Sequence, residues 1–308
     1  MWLPTMSGSR GADKAATIDG PRPPSGWWVT GRSVVGASHV RAGTENQDAI
    51  RWAPGRGWDE RVVLAVSDGH GSPANFRSAE GALLAVRTAR RVGVALLAGA
   101  ADNPASLSLV NRSLEEETPR YLVREWRRAV EQDLAVRPLL DEELAVLVER
   151  AGPGGRQRVE DDPVLAYGAT LLVVLATEAY VAYLQLGDGA IVEVPAEGDA
   201  RRALPDDPLA FANETTSLCS GDAWRHVRVR FDPQFGSPPP LVLLSSDGVV
   251  NSFADEAGFL GLGPDLLGQI RADGFAAVED RLDTWLAEMT QAGSGDDVTL
   301  GFVVRGGG

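Results

Sequence analysis

Apolar residues along this chain gather into two kinds of block. The first kind is short and dense. Residues 61–67 (RVVLAVS), 169–176 (ATLLVVLA), 179–186 (AYVAYLQL), 241–246 (LVLLSS) and 298–304 (VTLGFVV) are rich in Val and Leu and bounded by Gly, Asp or Thr. Runs of that length and composition predict strands buried on both faces. The break at Thr177-Glu178 makes 169–176 and 179–186 a predicted hairpin, with 191–194 continuing the meander. Weaker β patterns fall at 29–39 and 48–53, and 224–231 alternates as a half-buried strand should.

The second kind is longer and spaced for helices. Residues 74–97, which follow Ser72-Pro73, together with 119–136, 139–150, 255–270 and 275–291, repeat apolar positions at helical intervals. The Gly-, Pro- and charge-rich stretch 151–163 (AGPGGRQRVEDDP) predicts an exposed loop, and 204–222 an irregular surface segment. Long helices between strand meanders, without regular βαβ alternation, indicate an α+β fold with antiparallel sheets rather than a doubly wound parallel one. No internal repeat, GxGxxG or GxxxxGK[ST] signature is present.

Composition narrows the function. At 308 residues and 44% hydrophobic, the chain can bury a large core as one domain or two. The domain expectation is a flexible tail over 1–26 and one folded unit over 27–308. The single cysteine, Cys219, excludes an intrachain disulfide and a multi-cysteine zinc site, and three histidines disfavour a His-rich metal site. A net charge of −14, with Lys14 the sole lysine, disfavours nucleic acid as a partner. No apolar run is long enough for a membrane span and the leader lacks a signal-peptide core, so the expectation is a cytoplasmic monomer.

The informative feature is where aspartates meet apolar runs. Asp68, Asp188 and Asp247 follow such runs directly or through a single glycine, Asp296-Asp297 precede the last one, and Asp48 opens AIRW. Each alone can be an ordinary turn residue, since Asp-Gly is a common turn pair. If several converge, their mutual repulsion demands a cation, and an oxygen-only shell suits Mg²⁺ or Mn²⁺ rather than zinc or copper.

Six blocks then occur in order: Thr44-Glu45-Asn46-Gln47-Asp48-Ala49, Ser67-Asp68-Gly69-His70-Gly71, Gly168-Ala169-Thr170, Leu186-Gly187-Asp188-Gly189, Ser245-Ser246-Asp247-Gly248 and Gly295-Asp296-Asp297-Val298-Thr299. This set resembles the metal-dependent serine/threonine phosphatases of type 2C, in their divergent bacterial branch. The resemblance runs from Val29 to Val304. It implies a four-layer αββα sandwich of two antiparallel sheets flanked by helices, with a metal site in a cleft at one sheet edge. It also implies two Mn²⁺ or Mg²⁺ ions about 3.5–4 Å apart that activate water for in-line attack on phosphorus.

In that family reading Asp68 bridges the ions and the Gly69 carbonyl is a further ligand. Asp247 and Asp296 complete one shell, and Asp48 holds metal-bound water or binds the second ion less directly. Asp188 matches the position of a third, weaker ion, against a plain turn aspartate as the competing reading. His70 is the expected general acid for the departing alkoxide, with a structural histidine as the alternative. Arg41 is the candidate phosphate clamp, with a solvated surface arginine as the alternative. His39 and His226 are expected to be structural or surface residues. Gln47, Gly189-Ala190 and Asn251 depart from common family residues without removing a metal ligand. The expected partners are a phosphoprotein substrate and a counteracting kinase. A catalytically weak phosphatase-like binding module and a small-molecule phosphomonoesterase are the other readings.

Overall fold

The computed structural model describes residues 26–55, 57–99, 104–197, 199–205, 216–234 and 238–306. The expected tail, apart from Gly26, and most of the irregular segment at 204–222 lie outside them. Among the described residues ten strands form two five-stranded sheets, every pairing antiparallel. The first sheet orders β1 (Trp27–Val34), β10 (Val298–Arg305), β9 (Leu241–Ser245), β6 (Ala190–Val194) and β7 (Arg201–Arg202). The second orders β2 (Ala49–Ala53), β3 (Arg61–Ser67), β4 (Leu171–Thr177), β5 (Tyr180–Leu186) and β8 (Arg228–Pro233).

Strand alternation sends each apolar run to two cores at once. On β3, Val62, Leu64 and Val66 enter the layer between the sheets, with Leu172, Val174, Val242 and Leu244. Val63 and Ala65 face the other way, into a core shared with α2 (Ser78–Gly99) and α4 (Thr118–Val136). The first sheet's outer face packs on α7 (Glu256–Asp273) and α8 (Phe275–Ala292) through Leu243, Leu266, Leu282 and Phe302. The result is the expected helix–sheet–sheet–helix sandwich. No helix among the described residues is long and apolar enough to cross a membrane.

Several local expectations are corrected. The β-like stretch 29–39 splits: β1 ends at Val34, and α1 (Ala37–Ala42) follows, closed by Gly43 at φ 69°. The helix α3 (Pro104–Glu116) had no counterpart in the sequence reading. The presumed loop at 151–163 is largely helical, because α5 runs Asp141–Asp161 with a kink at Gly152 (φ 71°). Pro153 starts the renewed helix, where its missing N–H is harmless. Gly155 and Val159 are then buried, so one side of this segment packs, while Ala151, Pro153, Gly154, Gln157, Arg158, Glu160 and Asp161 stay exposed as expected. Within 224–231, Ala223–Arg225 is a 3₁₀ turn and β8 begins only at Arg228. The hairpin β4–β5 forms as expected, but β6 leaves it and pairs with β9 in the opposite sheet. The last two helices, α7 and α8, and the short α6 (Asp247–Val250) sit with the first sheet.

Candidate metal centre

At one end of the sandwich, strand ends from both sheets open onto a cleft of about 250 Å³. Asp68 leaves β3 and is clamped by the segment just before β4. Its backbone N–H donates to Thr170 Oγ1 at 2.9 Å, the Thr170 N–H returns to the Asp68 carbonyl at 2.8 Å, and Ser67 Oγ donates to the Thr170 carbonyl at 2.6 Å. The next two amides are fixed as well, Gly69 N–H to the Gln47 carbonyl at 3.1 Å and His70 N–H to the Gly168 carbonyl at 3.1 Å. The 168–170 block therefore holds the Asp-Gly-His turn in place.

The Asp247-Gly248 pair serves a close approach rather than a hairpin turn. At Gly248 an added Cβ would sit 1.9 Å from the Asp297 carbonyl oxygen, so glycine lets the start of α6 press against the start of β10. That approach brings Asp247, the first residue of α6, beside Asp296. Asn251 Nδ2 donates to Asp247 Oδ2 at 3.2 Å, so the residue that departs from the family habit orients this carboxylate. Asp188 is exposed and sits between Gly187 (φ 100°) and Gly189, at the crossing from β5 to β6.

Asp68, Gly69, His70, Asp188, Asp247 and Asp296 all line the cleft, with His39, Gln47, Gly71, Thr170 and Asp297. Five aspartates and no arginine or lysine are in that lining. Asp48 stands just behind it, 9% exposed, and neither of its carboxylate oxygens has a hydrogen-bond partner. Burial pushes the Asp48 carboxyl up to about 7, helped by the charge of Asp297 and opposed by the nearby Thr299 and Ser246 hydroxyls, which fall short of hydrogen-bond alignment. Burial, then the charges of Asp48 and Asp247, raise Asp68 well above the carboxylate range. Asp247 is raised by burial and by the Asp188 and Asp296 charges, while its contact with Asp68 opposes the rise. Burial lowers the pKa of His70, partly offset by Asp188, and His70 Nε2 is buried with no partner.

Clustered carboxylates with an orphaned buried member and no arginine or lysine in the lining suit a hard divalent cation. The donor set fits Mg²⁺ or Mn²⁺. Asp68, the Gly69 carbonyl, Asp247 and Asp296 could hold it, with Asp188 at the rim and Asp48 behind.

Two residues in the cleft have roles the sequence reading did not assign. His39 lines it, with Nδ1 3.0 Å from Asp297 Oδ1 and Nε2 3.6 Å from Asp296 Oδ1. Asp297 is buried and accepts the Gly36 and Gln47 backbone N–H groups at 2.6 and 2.7 Å. The only signal in the sequence was the doubled aspartate at 296–297. Arg41 is not brought into the cleft; it is exposed on α1. Residues two apart on a helix point about 200° apart, so turning His39 inward turns Arg41 outward. His226 is placed far along the chain beside Asp222, outside the lining.

A comparison with curated proteins finds none that matches. Among solved structures, the chain is similar to PppA, a key regulatory component of T6SS in Pseudomonas aeruginosa, at 20% identity and TM-score 0.55, covering 92% of this chain and 99% of that one. It is also similar to a bacterial serine phosphatase at 13% identity and TM-score 0.55, with 91% and 98% covered. These likenesses confirm the fold. The family model for protein phosphatase 2C matches residues 35–287, a span that includes Asp48, Asp68, Asp188 and Asp247 and stops short of Asp296. Matched over most of its length, the chain belongs to the protein phosphatase 2C family.

Proposed function

We propose that this protein hydrolyses phosphoserine and phosphothreonine in proteins, using two divalent cations, Mn²⁺ or Mg²⁺, in the carboxylate cleft. The observation that carries the reading is the meeting of Asp68, Asp247 and Asp296 beside His70 in one cleft whose described lining holds no arginine or lysine to neutralise them. Bound cations would activate water and offset charge on the phosphoryl oxygens. Asp68 and the Gly69 carbonyl sit on the clamped turn, so their oxygens are positioned before any ligand arrives. Asp247, steadied by Asn251, and Asp296, whose carbonyl takes the Thr290 hydroxyl at 2.8 Å, complete the holders. Asp188 at the rim would serve a third, weaker ion, and Asp48 would orient water from behind.

His70 is the group to protonate the leaving serine or threonine oxygen. Its backbone is pinned to Gly168 and its unpartnered Nε2 leaves a nitrogen free for that task. A lowered pKa makes the imidazolium a stronger acid, though a smaller fraction of it is protonated at neutral pH. A protein kinase is the implied counterpart.

The test is purified protein with a phosphothreonine peptide and Mn²⁺. Turnover should require the ion, stop with chelator, and be abolished in Asp68→Asn while the circular dichroism spectrum is retained. Undiminished turnover in metal-free buffer, or in Asp68→Asn, would overturn the reading.

A further inference from the structure

We infer that His39 is a metal ligand, supplying an imidazole nitrogen to an ion held on Asp296, with Asp297 as the carboxylate that orients the ring. This rests on the metal-dependent reading above and goes beyond its oxygen-only shell. One ligating atom each from His39, Asp296 and Asp297 lies within 4.8 Å of the others. The three do not play equal parts. Both oxygens of Asp297 are engaged, Oδ1 by the Gly36 amide and Oδ2 by the Gln47 amide, so its position is set by the backbone. His39 Nδ1, buried and without an aligned hydrogen bond, faces that fixed oxygen at 3.0 Å. A ring whose Nδ1 is directed at a carboxylate presents Nε2 as the lone-pair nitrogen, the usual arrangement behind a metal-bound histidine.

His39 Nε2 is 3.6 Å from Asp296 Oδ1. That is too long for a hydrogen bond and suits two ligands of one ion. A second observation points the same way. Asp48 is nine-tenths buried with both carboxylate oxygens unpartnered, and the charge of Asp297 acts on it. The site thus holds buried polar atoms that a cation would satisfy. One nitrogen among oxygens shifts preference away from Mg²⁺, which favours oxygen, toward Mn²⁺ and later transition metals.

The test is pulsed electron paramagnetic resonance of the protein loaded with Mn²⁺, which detects a directly bonded nitrogen without any turnover. The wild type should show a nitrogen coupling that changes when the chain's histidines carry ¹⁵N. The coupling should vanish in His39→Gln and persist in His70→Gln. By calorimetry, His39→Gln should bind Mn²⁺ about tenfold or more weakly, with a smaller loss for Mg²⁺. The ¹⁵N labelling needs no substitution, so the assignment is tested even if a variant folds poorly. Mn²⁺ binding without histidine nitrogen coupling, or coupling that survives in His39→Gln, overturns this inference and leaves the phosphatase reading standing. Absence of Mn²⁺ binding by the wild type overturns both.

Discussion

Asp48→Asn should stabilise the metal-free protein, and by an amount that grows with pH. The Asp48 carboxyl is raised from 3.8 to about 7 in the folded chain, chiefly by burial. A raised acid means that the native state keeps its proton where the unfolded state has lost it. Stability is therefore highest at low pH and is lost as pH climbs from 3.8 through 7. At about 1.4 kcal/mol per unit, ionisation costs the fold about 1.5 kcal/mol at pH 5 and about 4 kcal/mol by pH 8. Asparagine keeps the shape and cannot ionise, so its advantage over the wild type should widen by about 2–3 kcal/mol between those pH values. Asp68 is raised in the same direction by burial and by the Asp48 charge, so the two acids titrate together. Urea denaturation with chelator at pH 5, 6, 7 and 8 reads the difference directly. Saturating Mn²⁺ should reverse the ranking, because a cation rewards the ionised carboxylate. A difference between variant and wild type that is flat across pH, or that shrinks as pH rises, would refute the argument that Asp48 is an uncompensated buried acid.

Three further outcomes are expected. His70→Gln should lower kcat about 10²-fold or more on a phosphothreonine peptide and far less on an activated aryl phosphate, whose leaving group needs little protonation; equal losses on both substrates would remove the general-acid role. Gly248→Ala should fold less stably and bind Mn²⁺ poorly, because a Cβ 1.9 Å from the Asp297 carbonyl must push α6 away from β10; an unchanged melting temperature and metal affinity would contradict it. Leu64→Ala, which empties a fully buried position between the sheets, should cost about 2–5 kcal/mol with metal affinity retained in the folded fraction, and a smaller loss by urea titration would count against that packing.

Strands β3, β4, β5 and β9 were legible because burial on both faces demands uninterrupted Val and Leu over a short span, a pattern little else produces. The helices α2, α4, α7 and α8 announced themselves by their spacing. The aspartates at strand ends could be located one by one, and their order along the chain was enough to suggest the family. What local pattern could not supply was the partner of each element. β6 follows the β4–β5 hairpin in sequence yet pairs with β9, since Gly187 and Gly189 allow the chain to cross between sheets where side chains would collide with Thr170 and with the Ser245 carbonyl. The GPGG of α5 reads as a loop because glycine and proline usually break helices; the helix does break at Gly152, and it resumes from Pro153 with Gly155 and Val159 packed. His39 lay in a stretch with a β-like pattern, and its turn into α1 is what points it at Asp297 and leaves Arg41 in solvent. Residue type and short-range spacing thus determined the elements and the carboxylate inventory. The three-dimensional packing decided which of those charges meet, because charge repulsion and burial act between residues that are some 250 positions apart in the chain, as Gln47 and Asp297 are.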